Sequence, residues 1–401
     1  MSNIKEFISK NIDLCVRENK EDKDTLIGLP FPYTVPSVGH FDELYYWDTY
    51  FFNKGLQICG RMELAKNNVD NMLWIVKKYG LMPNGNRTFF LNRSQPPFLS
   101  MMVYDVYEYY KDEVWLSEAF KTLETEYEFW MNKRISPIGL NHYDCTIEEY
   151  EYDEWAELLA QRIGFMPDEP KDKLARHMMT VAESGWDVTP RWEFEAYNFA
   201  CTELNSLMYS FEKNMAYFCT ILQNGQSDIW LQRAETRSEL MNKYLEKDGI
   251  FYDYNYASQQ QSTLLSAASL YPLFCGVATP SQAQAMVDSL HQLETDFGIL
   301  TCQENEIDGK YQWNYPNGWA CLHYVAIVGL DKYGYTDIAK RIAQKYVSLV
   351  DKIFTQTNNL WEKYNVVQGN LDVANEYGLP PMMGWSAGVY MEAEKYLSEN
   401  N

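Results

Sequence analysis

The sequence predicts an all-α fold, one large domain of helical hairpins set in a ring. Three observations predict it. Apolar residues recur at helical spacing through most of the 401 residues, and runs with the alternation of a strand are few. Aromatic, Gly- and Pro-rich loops lie between the helical stretches, at 28–48, 80–95, 183–195, 248–256, 302–318 and 361–384. No Ser/Gly/Pro linker divides the chain, so residues 1–401 read as one domain, with 1–27 as an N-terminal helical extension. Long loops after alternate helices would gather at one mouth of such a ring. No true repeat is visible, so periodicity alone specifies only a single all-α domain.

The elements follow in order. Residues 62–79 put Ala65, Val69, Met72, Leu73 and Val76 on one stripe, and Gly80 is the stop. Pro96-Pro97 opens a helix reaching about Tyr110, because the first turn has amides without partners anyway. Further helical patterns lie at 114–133, 197–223, 227–246, 260–275, 280–296, 318–333, 335–356 and 384–398. Thr279-Pro280 and Tyr335-Thr336 read as helix starts. Segment 141–160 is acidic and Tyr-rich; an ordinary solvated face is the preferred reading over an insertion at the mouth.

Composition narrows the function. A net charge of -22 argues against nucleic acid and anionic membrane as partners. No uncharged run approaches membrane-spanning length. Tyr 31, Trp 12 and Phe 19 suit either a sugar site or a Tyr-rich core. The eight Cys contain no CxxC pair, and the five His no HxH or HExxH spacing, so neither metal nor cofactor is expected. The N-terminus alternates charged and apolar residues without an h-region, which makes a reducing cytoplasm the expected compartment.

One stretch carries the candidate chemistry: Glu183-Ser184-Gly185-Trp186-Asp187, continuing to Arg191-Trp192. Ser-Gly permits a tight backbone, and apolar ring walls raise a carboxyl pKa by desolvation. Asp187 is therefore a candidate acid at a sugar subsite. A helix-capping Asp with Trp as core is the other reading.

In combination, the loops resemble the trehalase family. The first signature is matched by Val35-Pro36-Ser37-Val38-Gly39-His40-Phe41, leading into Tyr45-Tyr46-Trp47-Asp48-Thr49-Tyr50. Pro83-Asn84-Gly85-Asn86-Arg87 with Arg93-Ser94-Gln95-Pro96-Pro97 is similar to the next block, and Glu183 to Trp192 to the block holding the general acid. Gln312-Trp313-Asn314-Tyr315-Pro316-Asn317-Gly318-Trp319 resembles the second signature. Glu362-Lys363-Tyr364, Asn375-Glu376-Tyr377 and Gly384-Trp385 resemble the segment holding the general base. The blocks stand in the family's order from about residue 28 to the C-terminus.

The resemblance implies an (α/α)6 toroid and an inverting α-glycosidase acting on a small α-linked disaccharide or glycosyl conjugate. It implies Asp187 as general acid and Glu376 as general base. In inversion the two carboxyls stand about 6.5–9.5 Å apart, leaving room for water. His40, Phe41, Tyr45, Trp47, Asp48, Asn84, Arg93, Gln95, Gly185, Trp313 and Trp319 are the implied substrate-binding residues.

The departures concern arginine. His40 stands where the family has Arg, and Met166-Pro167-Asp168 is the nearest counterpart of an Arg-Pro-Glu block. Asn314 replaces an Asp, and Leu371 to Asn375 replace a glycine-rich run. Trehalose is accordingly expected to be a weaker substrate than some other α-glucoside, unless Arg93, Arg176 or Arg191 compensates. Hydrolases of glucosylglycerate or mannosylglycerate, and processing α-glucosidases, are the enzyme alternatives. A non-catalytic sugar-binding barrel and a helical protein-binding scaffold are the alternatives of other classes.

Overall fold

A computed structural model describes residues 3–375, 378–381 and 384–400. The helices among them are α1 (Asn3–Asn11), α2 (Tyr46–Ile58), α3 (Met62–Tyr79), α4 (Leu99–Tyr110), α5 (Glu113–Lys133), α6 (Tyr152–Ile163) and α7 (Lys171–Ser184). They continue as α8 (Thr202–Leu222), α9 (Ser227–Tyr244), α10 (Tyr271–Cys275), α11 (Pro280–Ser289), α12 (Ala320–Lys332), α13 (Thr336–Thr357) and α14 (Gly384–Glu399). Strands among the described residues are only two or three residues long.

Six helices form an inner ring. α2, α4, α8, α10, α12 and α14 touch in that order, and α14 closes on α2. At this seam a Cβ on Gly388 would lie 1.9 Å from the Phe51 carbonyl oxygen, so only glycine lets the two backbones approach. The outer helices bury one stripe each. α13 turns Ile342, Tyr346, Val350 and Ile353 inward, at helical spacing. α3 packs against α2, α4 and α5, and α9 against α8. α1 sets Phe7 edge-on to Phe354 of α13, centroids 5.1 Å apart. α11 ties to α9 through Gln282 and Asn242. The result is the helical double ring that the resemblance implies.

The differences from expectation have physical reasons. α2 begins within the stretch 28–48 read as loop and continues where no helix is assigned, because nearly its whole circumference is buried, which leaves no apolar stripe to see. α7 fills a stretch to which no helix is assigned from sequence. The helix expected at 260–275 shrinks to Tyr271–Cys275, and Gln260–Gln261 pairs as a strand with Tyr254–Asn255. Segment 141–160 is not merely a solvated face. It leads into α6, which packs on α7 outside the inner ring.

Candidate active site

One cavity of about 280 Å³ opens where the loops gather. Its floor is tryptophan. Trp313 and Trp319 stack at 3.8 Å, Trp47 and Trp186 lean on Trp313 at 5.6 and 5.1 Å, and Trp385 stands edge-on to Trp319 at 5.6 Å. Apolar ring faces of this kind suit the C–H faces of a sugar. α2 contributes Trp47 and Asp48 from its first turn, where helix amides favour a carboxylate.

The Asp187 loop is built by strain and clamps. α7 ends at Ser184, and Gly185 turns the chain at φ +72. A Cβ there would lie 2.8 Å from the Trp47 indole, so glycine is required both for the turn and for the contact. Val188 has φ +56, unusual for a β-branched residue and of a kind that costs about 1–3 kcal/mol. Its carbonyl accepts from the Trp313 amide at 3.3 Å. Arg191 secures the far end of the loop. It donates to Glu203 and Asp253 at 2.7 and 2.8 Å and lies 4.3 Å over Trp186 and 4.5 Å over Trp192. Asp187 caps no helix, since α8 starts only at Thr202.

Glu183 joins three segments from beneath. It accepts from the Ser94 amide at 2.7 Å, the Asp144 amide at 2.8 Å and the Arg134 guanidinium at 2.7 Å. Ser94 lies between Arg93 and Gln95, so this buried carboxylate fixes the loop that presents both.

The carboxyls of the cavity are electrostatically linked to one another and to two arginines. Burial pushes the Asp187 carboxyl up to about 6; Arg162 and then Arg93 oppose the rise, and Glu362 and Asp48 add to it. Burial, then the nearby Glu362, pushes Asp48 up to about 7. Glu362 is itself 3% exposed and accepts from Lys363 at 2.6 Å. Thus Asp187 faces both arginines and both of the other carboxyls, all of which line the cavity.

The unpaired groups are the most informative feature. Among the described residues, Asn84 Oδ1, Arg93 Nε, Gln95 Oε1, Trp155 Nε1, Asp187 Oδ1 and Trp319 Nε1 are buried without a hydrogen-bond partner, and all six residues line this cavity. Each such group costs about 1–3 kcal/mol unless something binds it.

Phe41, Tyr45, Trp47, Asp48, Asn84, Arg93, Gln95, Gly185, Asp187, Trp313 and Trp319 all line the cavity, as expected from sequence. His40, also implied as substrate-binding, is exposed and is not among the residues that line the cavity. Glu376 lies outside the described residues. Arg191 is fully engaged in its clamp, and Arg176 pairs with Asp144 at 2.7 Å on the surface, so neither supplies the missing donor. The residues missed are Glu362, Gln312 and Trp385, which the quoted motifs contain, and Trp155 and Arg162 on α6, which no motif marks.

Comparison with known proteins gives the same picture. A sequence profile described as Trehalase matches residues 2–398. A periplasmic trehalase of Xanthomonas oryzae pv. oryzae is 31% identical over 394 residues, covering 91% of this chain and 68% of that protein. The structure of the neutral trehalase of Saccharomyces cerevisiae superposes with a TM-score of 0.80 at 30% identity, over 98% of this chain and 79% of that one. A mannosylglycerate hydrolase from Thermus thermophilus has a TM-score of 0.66 at 15% identity over 97% of this chain and 99% of its own, a likeness of fold alone. The bacterial relative's periplasmic placement overturns the expected cytoplasmic location. Scattered cysteines behave as small buried hydrophobes in any compartment, and so do not decide it.

Proposed function

This chain belongs to the trehalase family and is a glycoside hydrolase, and from that premise we propose that it cleaves α,α-trehalose with inversion, using Asp187 as acid and Glu362 as base. The observation that carries the reading is the set of unpaired buried donors and acceptors above a tryptophan floor, beside two carboxyls. A polyhydroxylated ring satisfies both features at once. The enzyme alternative with an acidic aglycone rests on distant likenesses of fold.

The proposed chemistry uses the raised Asp187 carboxyl and the buried Glu362 that lines the same cavity. Asp187, held protonated by burial, gives its proton to the glycosidic oxygen as the C1–O bond breaks. Water adds to C1 from the opposite face and passes its proton to Glu362. Trp47 and Asp48 hold the glucosyl ring, its C–H face on the indole and a hydroxyl on the carboxyl. Glu376, the base implied by the motifs, is the second claimant, and an extra hydrogen-bonding role toward the substrate is open to it.

Proton NMR during early turnover tests the stereochemistry. Inversion yields one β-glucose and one α-glucose per trehalose, and two α-glucose molecules would refute it. The base is tested with α-glucosyl fluoride and azide. Glu362→Ala should lose about 10²-fold or more in turnover and form β-glucosyl azide when azide is added. If Glu376→Ala shows that rescue and Glu362→Ala does not, the base is Glu376.

A further inference from the structure

α6 stands apart from the barrel yet reaches the cavity. Trp155 and Arg162 are seven residues apart, about two helical turns, so they share one face of α6. Both line the cavity. Behind them α6 packs on α7, whose Met178, Met179 and Ala182 continue the same wall. Among the described residues, Trp155 Nε1 is buried without a hydrogen-bond partner.

Their position in the cavity follows from the fold. α2 of the inner ring carries Trp47 and Asp48, which hold the glucosyl ring in the reading above, whereas α6 docks on α7 outside that ring and reaches the same cavity from there. A second sugar, joined through the oxygen that Asp187 protonates, extends from the inner ring toward α6. The chain has His40, exposed, where the family has Arg, and no Arg in its Met166-Pro167-Asp168 segment.

Resting on the trehalose-cleaving reading above, we propose that α6 is the selectivity element for the leaving sugar: Arg162 and the Trp155 indole N–H donate to its hydroxyls and replace the arginines this chain lacks. Arginine reaches in from a helix rather than from a signature loop, which is why no motif reveals it. Trehalose then need not be the weak substrate that the departures alone predict.

The test compares two substrates with one glucosyl ring. Trehalose has a leaving sugar with hydroxyls. α-Glucosyl fluoride loses fluoride as the C1–F bond breaks, needs no proton from an acid and presents no leaving-group hydroxyl. Arg162→Ala should lower kcat/KM for trehalose by about 10- to 100-fold and change that for the fluoride by less than about threefold. Arg162→Lys should recover part of the loss. Trp155→Phe, which keeps an aromatic ring but removes the pyrrole ring with its N–H, should cost trehalose several-fold and leave the fluoride nearly unchanged. Arg176→Ala, on the surface, serves as the unchanged control. Removing a cation beside Asp187 should also move the alkaline limb of the trehalose profile upward. Equal losses on both substrates, or none on trehalose, would overturn the proposal. A wild-type enzyme that cleaves neither substrate would instead sink the underlying trehalose reading.

Discussion

The two ends of the barrel hold cavities of opposite character. The mouth cavity leaves buried donors and acceptors unpaired over tryptophan. At the other end, a groove of about 340 Å³ between α12 and α14 is mainly apolar, lined by Ile327, Val328, Val389 and Ala393. Two of its three charged groups, Asp331 and Lys332, are already engaged. Asp331 accepts from Thr336 and Tyr396 at 2.9 and 2.6 Å, and Lys332 donates to the Phe274 carbonyl. The far groove is of comparable size and more apolar, yet the mouth gathers the candidate chemistry. What distinguishes a site here is polar capacity held open at a cost to folding, not volume.

The strongest way to break this comparison is at Asp187. Asp187→Asn should lose about 10²–10⁴-fold in kcat/KM for trehalose, with the fold intact by circular dichroism. The loss on α-glucosyl fluoride should be much smaller, because that substrate needs no acid. Near wild-type turnover of trehalose would remove Asp187 from the mechanism.

A second pair of variants sharpens the contrast. Gln95→Ala removes an open acceptor at the mouth. It should cost about tenfold in kcat/KM while leaving thermal stability unchanged or raised, as trimming an unsatisfied group does. Tyr396→Phe removes a made hydrogen bond at the far groove. It should leave kinetics alone and cost about 0.5–1.5 kcal/mol in denaturant unfolding. The reverse pattern would mean that the two cavities have been assigned the wrong way round.

The pH profile reads the same difference. With Asp187 raised to about 6, the acid is protonated below that pH and loses its proton as pH rises through it. For trehalose, kcat/KM should therefore fall on the alkaline side at about tenfold per unit. For α-glucosyl fluoride that limb should be absent. An identical limb for both substrates would assign it to another group.

Much of this was legible from residues alone, for unequal reasons. α3 runs Met62–Tyr79 as its stripe predicts, because it buries one side and Gly80 takes φ +81 at its end. α2 was not, because a helix buried all round carries no period. Most of the motif residues singled out line the mouth cavity, while Glu376 lies outside the described residues. His40 is misleading, since position within a motif does not fix which way a side chain faces. Arg162 is invisible for a different reason. It reaches the cavity only through the docking of α6 on α7, a tertiary fact with no local sequence signal.

The smallest effect concerns a buried acid outside either cavity. Glu126 of α5 is 0% exposed and accepts from the hydroxyl of Tyr46, the residue before Trp47. Burial pushes it up to about 8, with the Tyr46 hydrogen bond opposing. Its folded pKa is raised above the unfolded value of about 4.3, so protons favour the folded state. The stability it contributes is complete below about pH 4 and is lost as pH rises through about 8, at no more than about 1.4 kcal/mol per unit. Glu126→Gln remains neutral and still accepts from Tyr46. Denaturant midpoints should therefore move in favour of the variant steadily from pH 5 to pH 8, with kcat/KM within about twofold of wild type. A stability difference independent of pH would show that Glu126 is ionised in the fold. A large kinetic loss would show instead that the Tyr46 contact positions Trp47 and Asp48, making this acid part of the mouth rather than of the frame beneath it.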